Sequence, residues 1–299
     1  GDSLASHILG YEDKEGKAIF GLEKKFDEVL RGSPGSIQYE KDASGMALPN
    51  GTVEVVQAVD GSNVALTLDR DIQFIIEEAL SEAYEEYKPL SATAIAADPK
   101  TMDILGMASF PNYNPNEYWK YRDQSVFRNH AIQSLYEPGS TFKIVTLAAA
   151  VEEGLFNPNA TYVSGKIKVA DRWLHDINNQ GWGTISYLEG LKRSSNVAFV
   201  NLGLGLGSEK LRSYIDNFGF GAKTGLELPG EVAGAISFYY PTEVATATYG
   251  QGKVQVTPLQ QVAAVAAVAN GGKLMQPRLV KSIENPATGD KQVFEPTEV

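Results

Sequence analysis

The sequence predicts a protein of mixed helices and strands, in which short strands come first and helices follow. Alternating and hairpin-like patterns lie between residues 64 and 109, whereas segments that are apolar on most sides lie after residue 140. Alternation with a period of two is typical of half-buried strands, and a segment that is apolar all round is typical of a buried helix. At 299 residues the chain is long enough for one large domain, or for one large and one small domain.

The region after residue 60 begins with a predicted strand and a long helix. Residues 64–68 alternate between apolar and smaller or polar side chains, which predicts a strand. Asp69 is suited to cap the amphipathic helix that follows it. Residues 93–97 and 104–109 flank an Asp-Pro-Lys turn, and this pattern predicts a β-hairpin.

Helices dominate the chain after residue 140. Residues 142–151 are apolar nearly all round and are followed by Gly154, a suitable helix stop. A later helix is predicted to begin at Thr257, because threonine caps, Pro258 takes the first helical position and Gln260 completes a capping box.

The first sixty residues predict a small module, 1–60, ahead of a main domain at 61–299. Apolar residues recur at helical spacing over residues 22–30, which predicts one short helix that ends at Arg31-Gly32. The remainder of this module is polar and glycine-punctuated, as in turns and short strands.

Composition excludes several classes of function. A formal net charge of −11 argues against nucleic acid as a partner, since phosphate binding needs a basic surface. The chain has no cysteine, which removes thiol catalysis, disulfides and cysteine-type zinc sites. Its three histidines lie far apart without the spacing of metal ligands, so we expect neither a metal site nor a cofactor.

Ser140 and Lys143, in the sequence EPGSTFK, form the first candidate catalytic pair. Residues three apart at the start of a helix share a face about one turn apart. A serine hydroxyl is a poor nucleophile unless a neighbouring base takes its proton, and burial favours the neutral form of a lysine. A bare S-x-x-K match also fits a helix-capping serine with a lysine that reaches solvent. Here, however, Lys143 is the only cation in an apolar helix.

A second candidate lies at Ser194-Ser195-Asn196, between two helical stretches. The S-x-N pattern supplies one hydroxyl and one amide, groups that can relay a proton and hold a substrate amide. In isolation the same residues would be read as a helix N-cap. Downstream of a buried S-x-x-K helix, they make the first two of the three motifs of penicillin-recognising proteins.

With these motifs in place, the chain resembles the class B penicillin-binding proteins, the monofunctional transpeptidases of bacterial division and sporulation. Besides the segment EPGSTFKIVTLAAAVEEG, the similar stretches are GLEKKFDEVLRGSPG, DGSNVALTLDRDIQ, AADPKTMDILGMAS and ATATYGQGKVQVTPLQ. The resemblance implies an α+β transpeptidase fold, with an antiparallel sheet between helices, a helical subdomain and part of an N-terminal pedestal. It implies that Ser140 is acylated, that Lys143 is its base, and that Ser194 and Asn196 complete this side of the cleft.

The resemblance also implies substrates, partners and a location. The expected substrate is a peptidoglycan stem peptide that ends in D-Ala-D-Ala, which β-lactams resemble. Expected partners are a glycosyltransferase and other membrane proteins of division or sporulation. No apolar run reaches the roughly 18 residues that a membrane span needs. We therefore expect an extracytoplasmic domain whose N-terminal anchor lies outside this chain.

The third family motif, K-[ST]-G, is where the sequence departs from the pattern. Its one match, Lys223–Gly225, lies in the glycine-rich segment FGFGAKTGLELPGE and precedes the Thr257 helix, whereas the family's catalytic strand follows that helix. We expect this match to be a surface loop away from Ser140. On this reading the chain ends before the catalytic motif and acylates very slowly or not at all, because the acyl carbonyl lacks donors on one side.

Two other functions fit parts of the same sequence. A catalytically silent module that recruits division or sporulation partners fits the same motifs if the third is truly absent. Another acyl-serine protein, a β-lactamase or an antibiotic receptor domain, fits the chemistry but not the pedestal segment. His175-Asp176 resembles part of a catalytic triad, but neighbours in a chain rarely orient in that way, and we expect an exposed loop.

Overall fold

The structure is a computed structural model that describes residues 3–41, 43, 44, 46, 48 and 51–299. Its α-helices, numbered along the chain, are α1 Ser6–Leu9, α2 Gly21–Lys25, α3 Asp27–Leu30, α4 Arg70–Tyr87, α5 His130–Gln133, α6 Lys143–Glu152, α7 Tyr187–Lys192, α8 Asn196–Leu206, α9 Ser208–Asn217, α10 Pro241–Ala247 and α11 Pro258–Ala269. Its strands are β1 Tyr11–Glu12, β2 Ala18–Phe20, β3 Ser36–Tyr39, β4 Val53–Val56, β5 Asn63–Leu66, β6 Ala92–Ala97, β7 Ile104–Phe110, β8 Thr161–Val163, β9 Lys166–Val169, β10 Arg172–His175, β11 Thr184–Ser186, β12 Ala235–Ile236, β13 Val254–Gln255, β14 Val280–Glu284 and β15 Lys291–Val293. The strands pair antiparallel in small groups.

The hairpin of β6 and β7 lies between helices. Helix α4 packs on one side, where a side chain at Gly106 would meet Ile76, while Met107 points into a core shared with α5 and α11. Gln73 ties α4 to the hairpin, because its Nε2 donates to Met107 O at 2.9 Å and its Oε1 accepts from Met107 N at 2.8 Å. The predicted hairpin is therefore confirmed, with helices on both of its faces.

The predicted helix starts are also confirmed. Asp69 Oδ1 accepts from the backbone N of Asp71 at 2.9 Å and of Ile72 at 3.0 Å, as an N-cap should. At α11, Thr257 Oγ1 accepts from Gln260 N at 3.1 Å and Thr257 N donates to Gln260 Oε1 at 2.9 Å, which is a complete capping box. The helix predicted over residues 142–151 is α6, and Gly154 follows it with a left-handed φ of 68°.

One prediction in the N-terminal segment is wrong. The helical spacing over residues 22–30 predicted one helix, but the structure has two short helices, α2 and α3, that meet at Phe26. Phe26 has φ −112° and ψ 22°, outside the helical region, so the chain changes direction there. A regular spacing of apolar residues does not exclude such a break, because a helical segment of only two or three turns has little stability of its own.

The N-terminal segment shares its core with the rest of the chain. Ala5, Ile8 and Leu22 are buried in the same apolar cluster as the hairpin residues Ile104 and Met107. A neighbouring aromatic cluster joins both parts of the chain and consists of Tyr11, Phe20, Tyr113 and Phe127. Along the described part of the chain, no helix is both long and apolar enough to cross a membrane.

Candidate active site

Ser140 lies on a tight turn at the surface. A 3-10 turn over Gly139–Phe142 leads directly into α6, and Gly139 has a left-handed φ of 59°. Ser140 is exposed, whereas Phe142 and Lys143 are buried. The turn therefore leaves the Ser140 side chain exposed, whereas the Thr141 hydroxyl donates to Pro138 O at 2.8 Å.

The turn is held from behind by a segment more than a hundred residues further along the chain. Gly139 N donates to Gly250 O at 2.9 Å, and Gln261 Nε2 donates to Thr141 O at 3.0 Å. A Cβ on Gly250 would lie 2.4 Å from Gly139 O, so only glycine fits at this contact. The YGQG stretch therefore fixes the position of the candidate nucleophile.

Lys143 is buried, and three oxygen atoms lie within hydrogen-bond distance of its Nζ. Only 4% of the residue is exposed, and its Nζ lies 2.6 Å from Ser194 O, 2.9 Å from Ser194 Oγ and 2.8 Å from Asn196 Oδ1. Burial lowers the pKa of Lys143 to about 8, while the negative charge of Asp176 opposes this shift. A lysine with this pKa is neutral for roughly one molecule in ten at pH 7.

The S-x-N loop joins α7 to α8 and is strained at its first residue. Ser194 has a left-handed φ of 55°, which is costly for a residue with a side chain. Ser195 is buried and caps α8, since its Oγ accepts from Ala198 N at 3.2 Å. Asn196 bridges two elements, because its Oδ1 accepts from Lys143 and its Nδ2 donates to His175 O at 2.9 Å.

The expectation that His175-Asp176 is an exposed loop is wrong for Asp176. Only 1% of Asp176 is exposed, although His175 beside it is exposed. The Asp176 carboxylate accepts from Ser195 Oγ at 2.9 Å, from Val197 N at 3.1 Å and from Gly165 N at 2.8 Å. The acidic residue is stable in the interior because Ser195 and Val197 supply donors for one oxygen and Gly165, in the bend between β8 and β9, supplies one for the other. The sequence signal for this role is faint, a single acidic residue at the end of an alternating strand.

The structure brings three of the four predicted site residues into direct contact. Lys143, Ser194 and Asn196 form one hydrogen-bonded group, and Ser140 lies on the turn that precedes α6. We expected residues 140 and 143 to share a helix face, but among the described residues no side-chain hydrogen bond joins Ser140 to Lys143 or Ser194. Catalytic hydrogen bonds commonly tighten only when substrate binds.

Lys223–Gly225 form a loop, not a strand, as predicted. Glu231 Oε1 accepts from Thr224 N at 2.7 Å and from Thr224 Oγ1 at 2.5 Å, and Glu231 Oε2 accepts from Gly225 N at 3.2 Å. Lys223 itself is exposed. Across the described ranges, no hydrogen bond links Lys223 to Ser140. The loop wraps a buried carboxylate, which is a structural role.

Two family profiles match the chain. The "Penicillin binding protein transpeptidase domain" matches residues 92–299, which is more than half of the chain, and the "Penicillin-binding Protein dimerisation domain" matches residues 2–66.

Curated relatives and solved structures point the same way. Stage V sporulation protein D of Bacillus subtilis is 42% identical over 96% of this chain and 45% of that protein. Peptidoglycan D,D-transpeptidase FtsI of Escherichia coli is 29% identical over 96% of the chain and 48% of that protein. Penicillin Binding Protein 2X of Streptococcus thermophilus superposes with a TM-score of 0.86 at 31% identity, over 99% of this chain and 45% of that one. Penicillin binding protein 3 of Mycobacterium tuberculosis, complexed with aztreonam, also gives 0.86 at 31% identity, over 100% and 64%. The chain thus spans less than half the length of the two relatives.

Proposed function

The chain belongs to the class B penicillin-binding proteins and has their α+β transpeptidase fold, and on that premise we propose that it cross-links peptidoglycan stem peptides through an acyl-enzyme at Ser140. The Ser140 Oγ attacks the carbonyl carbon between the two terminal D-alanines, and its proton passes to Lys143. The C–N bond then breaks, and the departing D-alanine amine takes up a proton. An amine of a neighbouring stem peptide attacks the ester, forms the new amide bond and frees Ser140.

The observation that carries this proposal is the environment of Lys143. A lysine ammonium has three N–H donors, and three acceptors surround its Nζ: Ser194 O, Ser194 Oγ and Asn196 Oδ1. Only after loss of a proton does the nitrogen have a lone pair that can accept the Ser140 proton. The lowered pKa, about 8, makes this loss accessible near neutral pH. A lysine held in this way is suited to act as a general base.

Ser194 and Asn196 have supporting roles in the proposed reaction. Ser194 is exposed, and its Oγ lies 2.9 Å from Lys143 Nζ, so this hydroxyl can carry a proton between the lysine and a leaving amine. Asn196 is half-buried and uses one Nδ2 hydrogen on His175 O. Its second Nδ2 hydrogen is then left to hold a substrate carbonyl.

The substrate also suggests where the domain acts and with what. Peptidoglycan is cross-linked outside the cytoplasmic membrane, so we place the domain at the extracytoplasmic face. Because a transpeptidase needs newly made glycan, we propose a glycosyltransferase and other membrane proteins of division or sporulation as partners. We propose β-lactams as inhibitors that trap Ser140, and residues 1–60 as a pedestal module.

The proposed nucleophile is tested by labelling with a fluorescent penicillin. The full-length gene product that contains these residues should form a covalent adduct and should release D-alanine from a peptide ending in D-Ala-D-Ala. Ser140→Ala should lose both activities, because no other group supplies the ester oxygen. The matched control is Ser213→Ala, an exposed serine on α9, which should behave as the unmodified protein.

Two outcomes would count against the proposal. Labelling of the Ser140→Ala protein at any other serine would show that the nucleophile is misassigned. A folded full-length protein that neither labels nor releases D-alanine would favour the catalytically silent module instead.

A further inference from the structure

Asp176 is a buried charged residue that the proposed reaction does not use. It follows β10 directly, and the hairpin of β9 and β10 places its carboxylate beneath the S-x-N loop. A buried carboxylate is costly unless it accepts hydrogen bonds or faces a cation. Such a group close to a reactive lysine is therefore a candidate for a role in that site.

The Asp176 carboxylate is satisfied entirely by neutral donors. Its Oδ1 accepts from Ser195 Oγ and Val197 N, and its Oδ2 accepts from Gly165 N, at distances of 2.8–3.1 Å. No direct ion pair to Asp176 is present in the described part of the chain. Its charge is therefore balanced only through space, and the buried cation on which it acts is Lys143.

The S-x-N loop lies between these two opposite charges. Residues that alternate along the loop face opposite partners, because Ser194 and Asn196 contact Lys143 whereas Ser195 and Val197 contact Asp176. Ser194 is held in the left-handed region at φ 55°. A strained residue persists only where its surroundings hold it, and here the surroundings are a carboxylate on one side and an amine on the other.

We propose that Asp176 is a positioning residue that holds the S-x-N loop in its strained conformation and provides the counter-charge for the amine of Lys143. For its readout by acylation, this inference rests on the function proposed above. Asp176 touches neither Ser140 nor, in this arrangement, any group that would bind substrate. It acts through Ser195 and Val197, and through its charge.

The two roles of Asp176 have opposite effects on acylation. Its negative charge favours the protonated lysine and so raises the pKa of Lys143 against the lowering by burial. Removing that charge lowers the pKa further, so the neutral base is present at lower pH and the rising limb of acylation moves to lower pH. Losing the hydrogen bonds loosens the loop, which lowers the maximal rate at every pH.

Other titratable groups lie on the elements packed around Asp176 and Lys143. They are Tyr162 on β8, Lys166 and Lys168 on β9, Arg172 and His175 on β10, Tyr187, Glu189 and Lys192 on α7, Arg193 after α7 and Tyr249 after α10. Lys168 and Lys192 are exposed, and Glu189 pairs with Arg193. Burial raises the pKa of Tyr162 and of Tyr249, so both stay neutral through the pH range of interest. Lys166, Arg172, His175 and Arg193 are exposed, so solvent screens them.

The test is the rate of penicillin acylation from pH 6 to pH 10 in the full-length protein. In the unmodified protein the rate should rise with pH through an apparent pKa of about 8. Asp176→Asn should move this limb down by about one pH unit and lower the plateau on the order of tenfold. Ser195→Ala keeps the charge, so it should lower the plateau without moving the limb. Asp171→Asn, an exposed aspartate in the turn of the same hairpin, should change neither.

Hydrogen exchange measured on the same proteins keeps the inference testable without acylation. The amides of Gly165 and Val197 donate to Asp176, so both should exchange faster in Asp176→Asn, and Val197 should do so in Ser195→Ala. If Asp176→Asn fails to fold, Ser195→Ala carries the test through this readout and the plateau.

Failure of the inference and failure of the proposed function are distinguishable. Wild-type exchange at Val197 together with a wild-type plateau and limb in a folded Asp176→Asn protein would overturn the inference. If Asp176→Asn does not fold, wild-type exchange and plateau in Ser195→Ala would overturn it. An unmodified protein that does not acylate at all would instead refute the proposed function, and faster exchange in the variants would still support the positioning role.

Discussion

Two lysines lie in motifs typical of the family, Lys143 in S-x-x-K and Lys223 in K-T-G, and they differ in burial and in hydrogen-bond partners. Lys143 is buried among three oxygen acceptors beside the S-x-N loop, with a lowered pKa. Lys223 is exposed on a loop whose next two residues wrap the carboxylate of Glu231. The environment of Lys143 therefore changes its acid–base chemistry, whereas Lys223 faces solvent. The reactivity of such a motif depends on the burial and the hydrogen-bond partners of its residues, not on its amino-acid sequence alone.

The strongest test of this comparison is to change each lysine to arginine in a separate variant of the full-length protein. Lys143→Arg should reduce penicillin acylation by about a hundredfold to ten-thousandfold, because a guanidinium stays protonated and cannot accept the Ser140 proton. Lys223→Arg should acylate at the unmodified rate. Both proteins should remain folded by circular dichroism. Normal acylation by the Lys143→Arg protein would mean that another group is the base.

The support behind the Ser140 turn should give the next largest effect. In Gly250→Ala the new Cβ would lie 2.4 Å from Gly139 O, so the turn has to move. We expect acylation to fall by up to about a hundredfold, since a displacement of an ångström at a nucleophile has that effect. Gly250 also has a left-handed φ of 73°, so the control is Gly272→Ala, with φ 89° and no atom within 4 Å of the new Cβ.

Both Gly250→Ala and Gly272→Ala place an alanine at a left-handed φ, but only Gly250→Ala also creates a close contact. If they lose equal amounts of acylation, the contact between Gly250 and Gly139 is not what positions Ser140.

The smallest effect is expected at the Lys223–Gly225 loop. Glu231→Gln replaces one acceptor oxygen with an NH₂ group that faces the amide N–H of Thr224 or Gly225. The free energy of unfolding should fall by about 1–3 kcal/mol, the cost of leaving a buried donor unsatisfied. Acylation at a temperature where the protein is folded should not change. Denaturant unfolding measures the first quantity, with the exposed Glu86→Gln on α4 as the control.

A loss of acylation in the folded Glu231→Gln protein would contradict the structural role of this loop and reopen a catalytic one. An unchanged free energy of unfolding would show that the three hydrogen bonds to Glu231 contribute little.

Local rules in the sequence predicted much of the fold because they concern neighbours in the chain. The Asp69 cap, the Thr257 capping box and the hairpin from β6 to β7 each depend on residues a few positions apart, and each is confirmed. The break at Phe26 was not predicted, because tertiary packing overrides a helical spacing in so short a segment.

In the candidate site, too, the features that depend on nearby residues were predictable and those that depend on distant residues were not. Lys143 and its burial were predictable, since an apolar helix leaves a lone lysine no route to solvent. The burial of Asp176 was not, because it depends on a hairpin that meets a loop about twenty residues further along the chain. Nothing local distinguishes such an aspartate from one in an exposed turn.

The shared core of the N-terminal segment changes what a domain boundary means in this protein. Ala5, Ile8 and Leu22 fill the same interior as Ile104 and Met107, and Tyr113 Oη donates to Ser6 O at 2.6 Å. Cutting the chain near residue 60 would therefore remove Ala5, Ile8 and Leu22 from that core and would expose the rings of Tyr113 and Phe127, which pack against Phe20 and Tyr11. Different family profiles match the two parts of the chain, residues 2–66 and residues 92–299, yet both parts contribute side chains to one apolar core. A partner that displaces the N-terminal segment would therefore also displace side chains that pack against the β6–β7 hairpin.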